Sequence, residues 1–323
     1  MKIRTLVSLA ATLLTATAGE LPAADYPTRP ITFVIPFAPG GGNDILGRVV
    51  SARAAKELGG VIVVENRPGA GGGLAAQHVI EGAADGYTVL QGNVAHAINM
   101  SLYKKPGYDF AKDFEPVTLM ATSALLICVN PRSPANNLQD LIQLAKKNPG
   151  KMTFGSSGIG GSSHLAFELF KAQAGVDLLH IPYQGGAPMT TDLVAGRLDV
   201  ALPVPSGAKS LMASGKIKCF ATTGSRRSKS MPDIPTVAEA ADLAGYEAAP
   251  WYGVVVKAGT PPEIIERLAR AYQVAVNDPE VQKVLLEQGF DVVGNTPQEF
   301  GAYIKTEIEK WSQVVAKSGA TAE

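Results

Sequence analysis

Two stretches of this 323-residue chain are rich in glycine where a strand-like run gives way to a helical one. "FAPGGGND", residues 37–44, follows "ITFVIP", and "GSSGIGGSSH", residues 155–164, follows "KMTF". A turn of this kind at the mouth of a helix leaves backbone N–H groups unpaired and converging on one spot, where the helix dipole adds partial positive charge. Such a spot attracts anions. Glycine lets a ligand approach the main chain without a Cβ in the way, and it accepts the positive φ that these turns often use. Neither stretch contains Lys or Arg. Strong phosphate sites usually add a basic side chain, whereas a carboxylate can be held by neutral donors alone. Neither turn matches a dinucleotide fingerprint and no P-loop occurs, so a nucleotide site is not expected. Each turn alone would read equally well as an ordinary strand-to-helix connection; two of similar chemistry tilt the reading toward binding. A third glycine run, "NRPGAGGG" at 66–73, is read first as a structural turn and second as an anion site.

Other chemistry-bearing residues form weaker patterns. The four histidines are His78, His96, His164 and His180, and none has a recognised metal spacing with a second ligand. His164 and Glu168 stand one helical turn apart, but a histidine at a helix start more often bonds locally. Ser162 beside His164 has no evident acidic partner, and no Gly-x-Ser-x-Gly elbow occurs. A hydrolase of small esters or amides is therefore the enzyme alternative, behind a non-enzymatic binding protein. No cofactor or metal is expected. Cys128 and Cys219 are the only cysteines and lie in strand-like runs, "ALLICVN" and "IKCFATTG". In an exported protein they could bridge if the strands are neighbours; buried free thiols are the favoured reading.

The elements that must position these groups follow an alternation. Strand-length apolar runs ("ITFVIPF", "VIVVENR", "YTVLQGN", "ALLICVN", "KMTFGSS") are interleaved with amphipathic segments such as "ILGRVVSARAAKELG", "LQDLIQLAKKN" and "LAFELFKAQAG". That order argues for parallel pairing with helices on both faces. "LLHIPY", "DVALPV", "IKCFATTG" and "YGVVVKAG" follow, too many strands for one comfortable sheet, so two α/β lobes are expected. Thr236, Thr260 and Thr296 each stand three residues ahead of a Glu and are expected to cap helices. Asp44 and Arg48, four apart on a helix, are expected to pair with each other.

Lys+Arg of 29 against Asp+Glu of 29 leaves no net charge, which gives no reason to expect a nucleic acid or an anionic membrane as partner. "MKIR", an apolar stretch too short to span a bilayer and a run of small residues read as a secretory signal, residues 1–24, with cleavage after Ala18 or Ala24. A periplasmic location, with no membrane insertion after cleavage, is the expectation.

"YPTRPITFVIPFAPGGGNDILGR", "VVENRPGAGGGLAA", "GSSGIGGSSHLAFELFKAQAGVDLLHIPYQGGAPMTTDLVAGRLDV" and "MPDIPTVAEA" together resemble the periplasmic substrate-binding proteins of the tripartite tricarboxylate transporter family, also called Bug receptors. The resemblance covers essentially the whole mature chain. It implies an α/β, two-lobed periplasmic binding protein (Venus-flytrap) fold, type II-like, each lobe a mixed sheet flanked by helices. Residues 25–122 and 225–323 would form one lobe and 123–224 the other. It implies a small carboxylate ligand closed between the lobes, permease subunits of a tripartite transporter as partners, and a monomeric receptor. A ligand-loaded signalling receptor would use the same closure.

The resemblance also implies site residues. The turn from Phe37 through Ala38 to Asp44 would supply main-chain donors near Gly41, Gly42 and Asn43; Ser157, Gly158, Ser162 and Ser163 would supply those of the opposing lobe. Segments 92–99 and 183–188, with Asn93, Tyr183 and Gly186, would lie along the cleft. Asn93 reads as a ligand partner or a turn former, Tyr183 as a ring wall, a phenol donor or a strand-end aromatic, and Phe37 as a cover for the ligand body or part of the core. After "DVA" the chain runs "LPVPSGAK", where relatives commonly place a polar residue. Pro203 and Pro205 put that third contact segment in doubt and leave Ser206 as its candidate.

Overall fold

A computed structural model describes residues 26–322; the segment read as a secretory signal lies outside the described residues. The chain begins with β1 (Ile31–Ile35), α1 (Gly42–Leu58), β2 (Ile62–Asn66), α2 (Gly73–Glu81), β3 (Thr88–Asn93), α3 (Val94–Leu102) and β4 (Phe114–Thr122). It crosses into β5 (Leu126–Val129), α4 (Leu138–Lys147), β6 (Thr153–Ser156), α5 (Ser162–Ala174), β7 (Leu179–Pro182), α6 (Gly186–Ala195), β8 (Val200–Ala201), α7 (Pro205–Ala213), β9 (Lys218–Thr222) and α8 (Val237–Ala241). It then returns through β10 (Trp251–Lys257), α9 (Pro262–Asn277), α10 (Pro279–Glu287), β11 (Asp291–Val292) and α11 (Pro297–Ser318).

Two sheets result. The six-stranded sheet has the order β11-β4-β10-β3-β1-β2, and the five-stranded sheet the order β7-β6-β8-β5-β9. β1 is parallel to β2 and β3 as the alternation implied, because a helical crossover joins each pair. β10, by contrast, inserts antiparallel between β3 and β4, so both sheets are mixed. The interior β1 is buried except at Thr32, as its apolar run requires. Chain reversals of this architecture put the turns after β1 and β6 at the same end of their sheets as the helix N-termini that follow.

The crossing segments lie side by side. Ser123 N–H donates to Pro250 O (2.8 Å), Thr223 N–H to Leu125 O (2.9 Å) and Ala248 N–H to Thr223 O (2.8 Å). Behind them α11 packs on β4, α3 and α5, so one hydrophobic core runs through both lobes, from Val34 and Leu119 to Phe154, Phe167 and Phe170. Within it Glu307 Oε2 accepts from both Trp251 Nε1 (2.8 Å) and Trp311 Nε1 (2.9 Å), and its other oxygen pairs with Lys310.

Two expectations are corrected, and one strand is added. Cys128 and Cys219 face each other on the antiparallel neighbours β5 and β9, Cα atoms 4.0 Å apart, and form a disulfide; the free-thiol reading fails because strand adjacency is a tertiary fact. Thr260 does not cap α9: Pro261 takes the cap position, and the Thr260 hydroxyl instead donates to Lys257 O (2.7 Å). Thr236 and Thr296 do form reciprocal caps with Glu239 and Glu299. Finally β4, unmarked by the alternation, is a nine-residue strand inside the large sheet; Pro116 and two register shifts against β10 disguise it.

Candidate functional site

The first glycine-rich turn is organised by a carboxylate. Asp44 is buried in the first turn of α1; its Oδ2 accepts from Gly40 N–H (3.0 Å), and its Oδ1 from Arg48 Nε (2.9 Å) and Asn66 Nδ2 (3.0 Å). Asn66 Nδ2 also donates to Phe37 O (2.9 Å), which ties both ends of the turn to one point. The Arg48 guanidinium, ahead of the Gly40 and Asn66 donors, holds the Asp44 carboxyl below the ordinary aspartate range. With both charges engaged, as the four-residue spacing implied, neither is free for a ligand. Gly40 takes φ +87°, where a side chain would be strained. The first intrahelical bond is Ile45 N–H to Gly41 O, and among the described residues nothing accepts from the N–H groups of Gly42, Asn43 or Asp44.

Strand β3 brings the next group alongside. Gln91 Nε2 donates to Asn43 O (3.0 Å) and Asn93 Nδ2 to Asn43 Oδ1 (3.3 Å). Asn93, 2% exposed, also caps α3: its Oδ1 accepts from Ala95 N–H (3.0 Å), while its own N–H donates to His96 Nδ1 (3.1 Å). Asn93 is thus a helix cap, the turn-forming reading, and it also borders the cleft.

The second turn is organised by hydroxyls and histidines. Ser157 N–H donates to Ser163 Oγ (2.9 Å), Gly160 N–H to His164 Nδ1 (3.0 Å) and Gly161 N–H to Gly158 O (3.3 Å). Ser156 Oγ accepts from Gly158 N–H (3.3 Å) and shares a 2.6 Å hydrogen bond with His180 Nε2. The His164 and His180 rings stack 3.8 Å apart, and burial holds both at about 4, uncharged at neutral pH. Among the described residues the N–H groups of Ser162, Ser163 and His164 have no acceptor. Gly160, at φ +71°, lies against Leu102 of α3, so this turn is seated on the opposite lobe.

These pieces line two neighbouring compartments that share wall residues. The narrower, about 290 Å³, is bounded by Phe37, Asn43, Gly71, Asn93, Val94, Ala95 and Asn99 on one side and by Ser157 and Ile159 to Ser162 on the other. The wider, about 690 Å³, extends along α6 and α7 past Ser163, Gly186, Leu202, Pro203, Val204 and Ser206. Ser157, Ser162, Pro250 and Tyr252 border both. Among the described residues no basic side chain lines the narrow compartment.

The sequence-derived residues thus divide. Phe37, Asn43, Asn93, Ser157 and Ser162 come together in the narrow part, and Ser163, Gly186 and Ser206 in the wide part. Ala38, Gly41 and Gly42 are exposed on the first turn, and Gly158 half-buried in the second, without lining either compartment. Tyr183 also lines neither: its phenol donates to Asp192 (2.8 Å), whose carboxylate also binds Arg197, so it offers no ring wall and no free donor. The third glycine run, a 3-10 turn at Ala70–Gly72, contributes Gly71, whose carbonyl accepts from Asn99 Nδ2 (3.1 Å). Sequence reasoning missed Pro250 and Tyr252, at the start of β10. Tyr252 packs edge-on against Phe290 (5.3 Å) and burial pushes its phenol up to about 12. Its signal, "APWYG", carries no motif.

For the serine-histidine alternative, the one serine bonded to a histidine among the described residues is Ser156, which is fully buried. Glu168 stands 3.9 Å from His164, and among the described residues no group of three or more His, Cys, Asp or Glu could hold a metal.

A family model described as "Tripartite tricarboxylate transporter family receptor" matches residues 46–320. The chain belongs to this receptor family. Rpa4515 of R. palustris, solved with adipate, is 35% identical with a TM-score of 0.78, covering 91% of this chain and 99% of that one. The periplasmic binding protein BugD is 33% identical with a TM-score of 0.76, covering 92% and 100%. MatC from Rhodopseudomonas palustris, solved with malate, is 31% identical with a TM-score of 0.75, covering 90% and 100%. The fold of this family receptor is accordingly that of the two-lobed periplasmic binding proteins, each lobe a mixed sheet between helices.

Proposed function

We propose that the chain is an extracytoplasmic solute receptor that closes on a small carboxylate and presents it to the permease subunits of a tripartite tricarboxylate-type transporter. The observation that carries this reading is the pair of helix starts, α1 and α5, which bring Asn43 and Ser162 to opposite walls of one narrow compartment; among the described residues each start has three N–H groups without an acceptor, and no basic side chain lines the compartment. Neutral donors fixed in advance cost no reorganisation when a carboxylate arrives. The adipate and malate bound by two similar proteins are both carboxylates, which agrees with that chemistry. In this reading residues 25–122 and 225–323 move as one lobe and 123–224 as the other, about the paired segments at Ser123–Leu125 and Thr223–Pro250. A carboxylate touching both walls binds the closed form better than the open one and so shifts the population toward closure.

A thermal-shift screen of the mature protein against a carboxylate panel tests the reading. A ligand at about a hundred times its Kd adds roughly 2.7 kcal/mol of stability. Flat melting curves for every acid, confirmed by calorimetry on ligand-stripped protein, overturn it. Pull-down of membrane permease subunits by loaded but not empty protein tests the transport partner.

A further inference from the structure

The two compartments differ in chemistry. The wide one is walled by Leu125, Met189, Val194, Leu202, Val204 and Leu211. Its polar groups are largely engaged: Thr190 Oγ1 donates to Gly186 O (2.8 Å) and Thr191 Oγ1 to Ala187 O (3.0 Å). Besides the start of α5, which it shares with the narrow compartment, it meets two helix starts that each carry a proline in the first turn. Pro188 removes an N–H from the first turn of α6, Pro205 removes one from α7, and Gly207 N–H is held by Val204 O (3.1 Å). Lys216, the single cationic side chain along it among the described residues, is exposed. Away from α5 a charged group would find few fixed partners, chiefly the Gly186 and Ala187 N–H groups and the exposed Lys216, whereas apolar surface would gain by burial along most of the wall.

We propose that the receptor selects monocarboxylates with an apolar body: the carboxylate sits in the narrow compartment and an aliphatic or aromatic body fills the wide one. The proposal rests on the receptor reading above and names its substrate class. About 690 Å³ is more than a short diacid fills, which leaves room for a ring or a branched chain.

Isothermal titration of the ligand-stripped mature protein with a matched pair, hexanoate and adipate, isolates the far end of the ligand. Hexanoate is expected to bind about tenfold tighter or more, and the straight-chain acids from butyrate to octanoate to gain roughly fourfold per methylene. Val204 is 48% exposed at the start of α7, so Val204→Lys should fold; it is expected to shrink or reverse the hexanoate preference. Adipate binding as tightly as hexanoate, or a flat chain-length series, overturns the substrate class while leaving the receptor reading intact. No binding by any mono-, di- or tricarboxylate overturns the receptor reading, and this proposal with it.

Discussion

The turns after β1 and β6 present the same thing, a helix start with open N–H groups, yet they are built from different materials. The first is pinned by a buried aspartate tied to an arginine and an asparagine; the second by serine hydroxyls and two stacked neutral histidines. An anion-seeking surface therefore does not prescribe its scaffold. What both scaffolds share is that they engage the charges and many of the donors around the turn and, among the described residues, leave the helix's first amides without acceptors. The difference lies in what disturbs each one.

Conditions and substitutions that act on one scaffold can separate them. The largest effect expected is on the five-stranded lobe alone, since it carries the only disulfide among the described residues. Replacing Cys128 and Cys219 by Ala opens a loop spanning 91 residues and should cost about 2–5 kcal/mol, read by denaturant unfolding. Acid comes next. His96, fully buried, has its pKa lowered from an ordinary 6.5 to about 4 by burial, so its unfolded form binds protons first as pH falls. Its contribution is complete above pH about 6.5 and is lost toward pH about 4, about 3 kcal/mol in all. His164 and His180 shift in the same direction, so the second turn has two such groups while Asp44, held low, stays charged through that window. Unfolding free energy should fall between pH 6.5 and 4, with a shallower slope in His180→Gln; a slope unchanged by that substitution would contradict the assignment.

Single substitutions should have smaller effects. Asp44→Ala leaves Gly40 N–H and Asn66 without their acceptor and should cost about 1–3 kcal/mol, together with weaker carboxylate binding in calorimetry. Gly160→Ala puts a methyl into Leu102 at φ +71°; about 1–3 kcal/mol and a clear loss of affinity are expected. Gly41→Ala, at φ −84° with no atom within 4 Å, should leave thermal stability within about 0.5 kcal/mol of the parent. Smallest of all, Tyr183→Phe removes a hydroxyl engaged by Asp192 away from the cleft, so carboxylate affinity should be unchanged.

What was legible in the sequence was local. The two glycine runs announced their geometry because strand, turn and helix start are contiguous there, and the Asp44–Arg48 pair followed from helical spacing. The alternation of apolar runs gave two α/β lobes. What escaped depends on residues far apart in the chain. The run "YGVVVKAG" announces a strand, but nothing local says that β10 enters the large sheet antiparallel between β3 and β4 or places Pro250 and Tyr252 in the cleft. The disulfide depends on β5 and β9 being neighbours. Tyr183 looked available because its partner, Asp192, sits one helix further along.

The shared core behind the crossing segments bears on how such a molecule can move. Phe154 and Phe167 of one lobe belong to the same apolar body as Leu119 and Trp251 of the other, and Tyr246 reaches across to hydrogen-bond Ala166 O (2.9 Å). The joint is thus a greasy fulcrum and not a pair of bare tethers. Any jaw motion must rock on it without prying it apart, and a fragment cut at the crossings would be left with a raw hydrophobic stump.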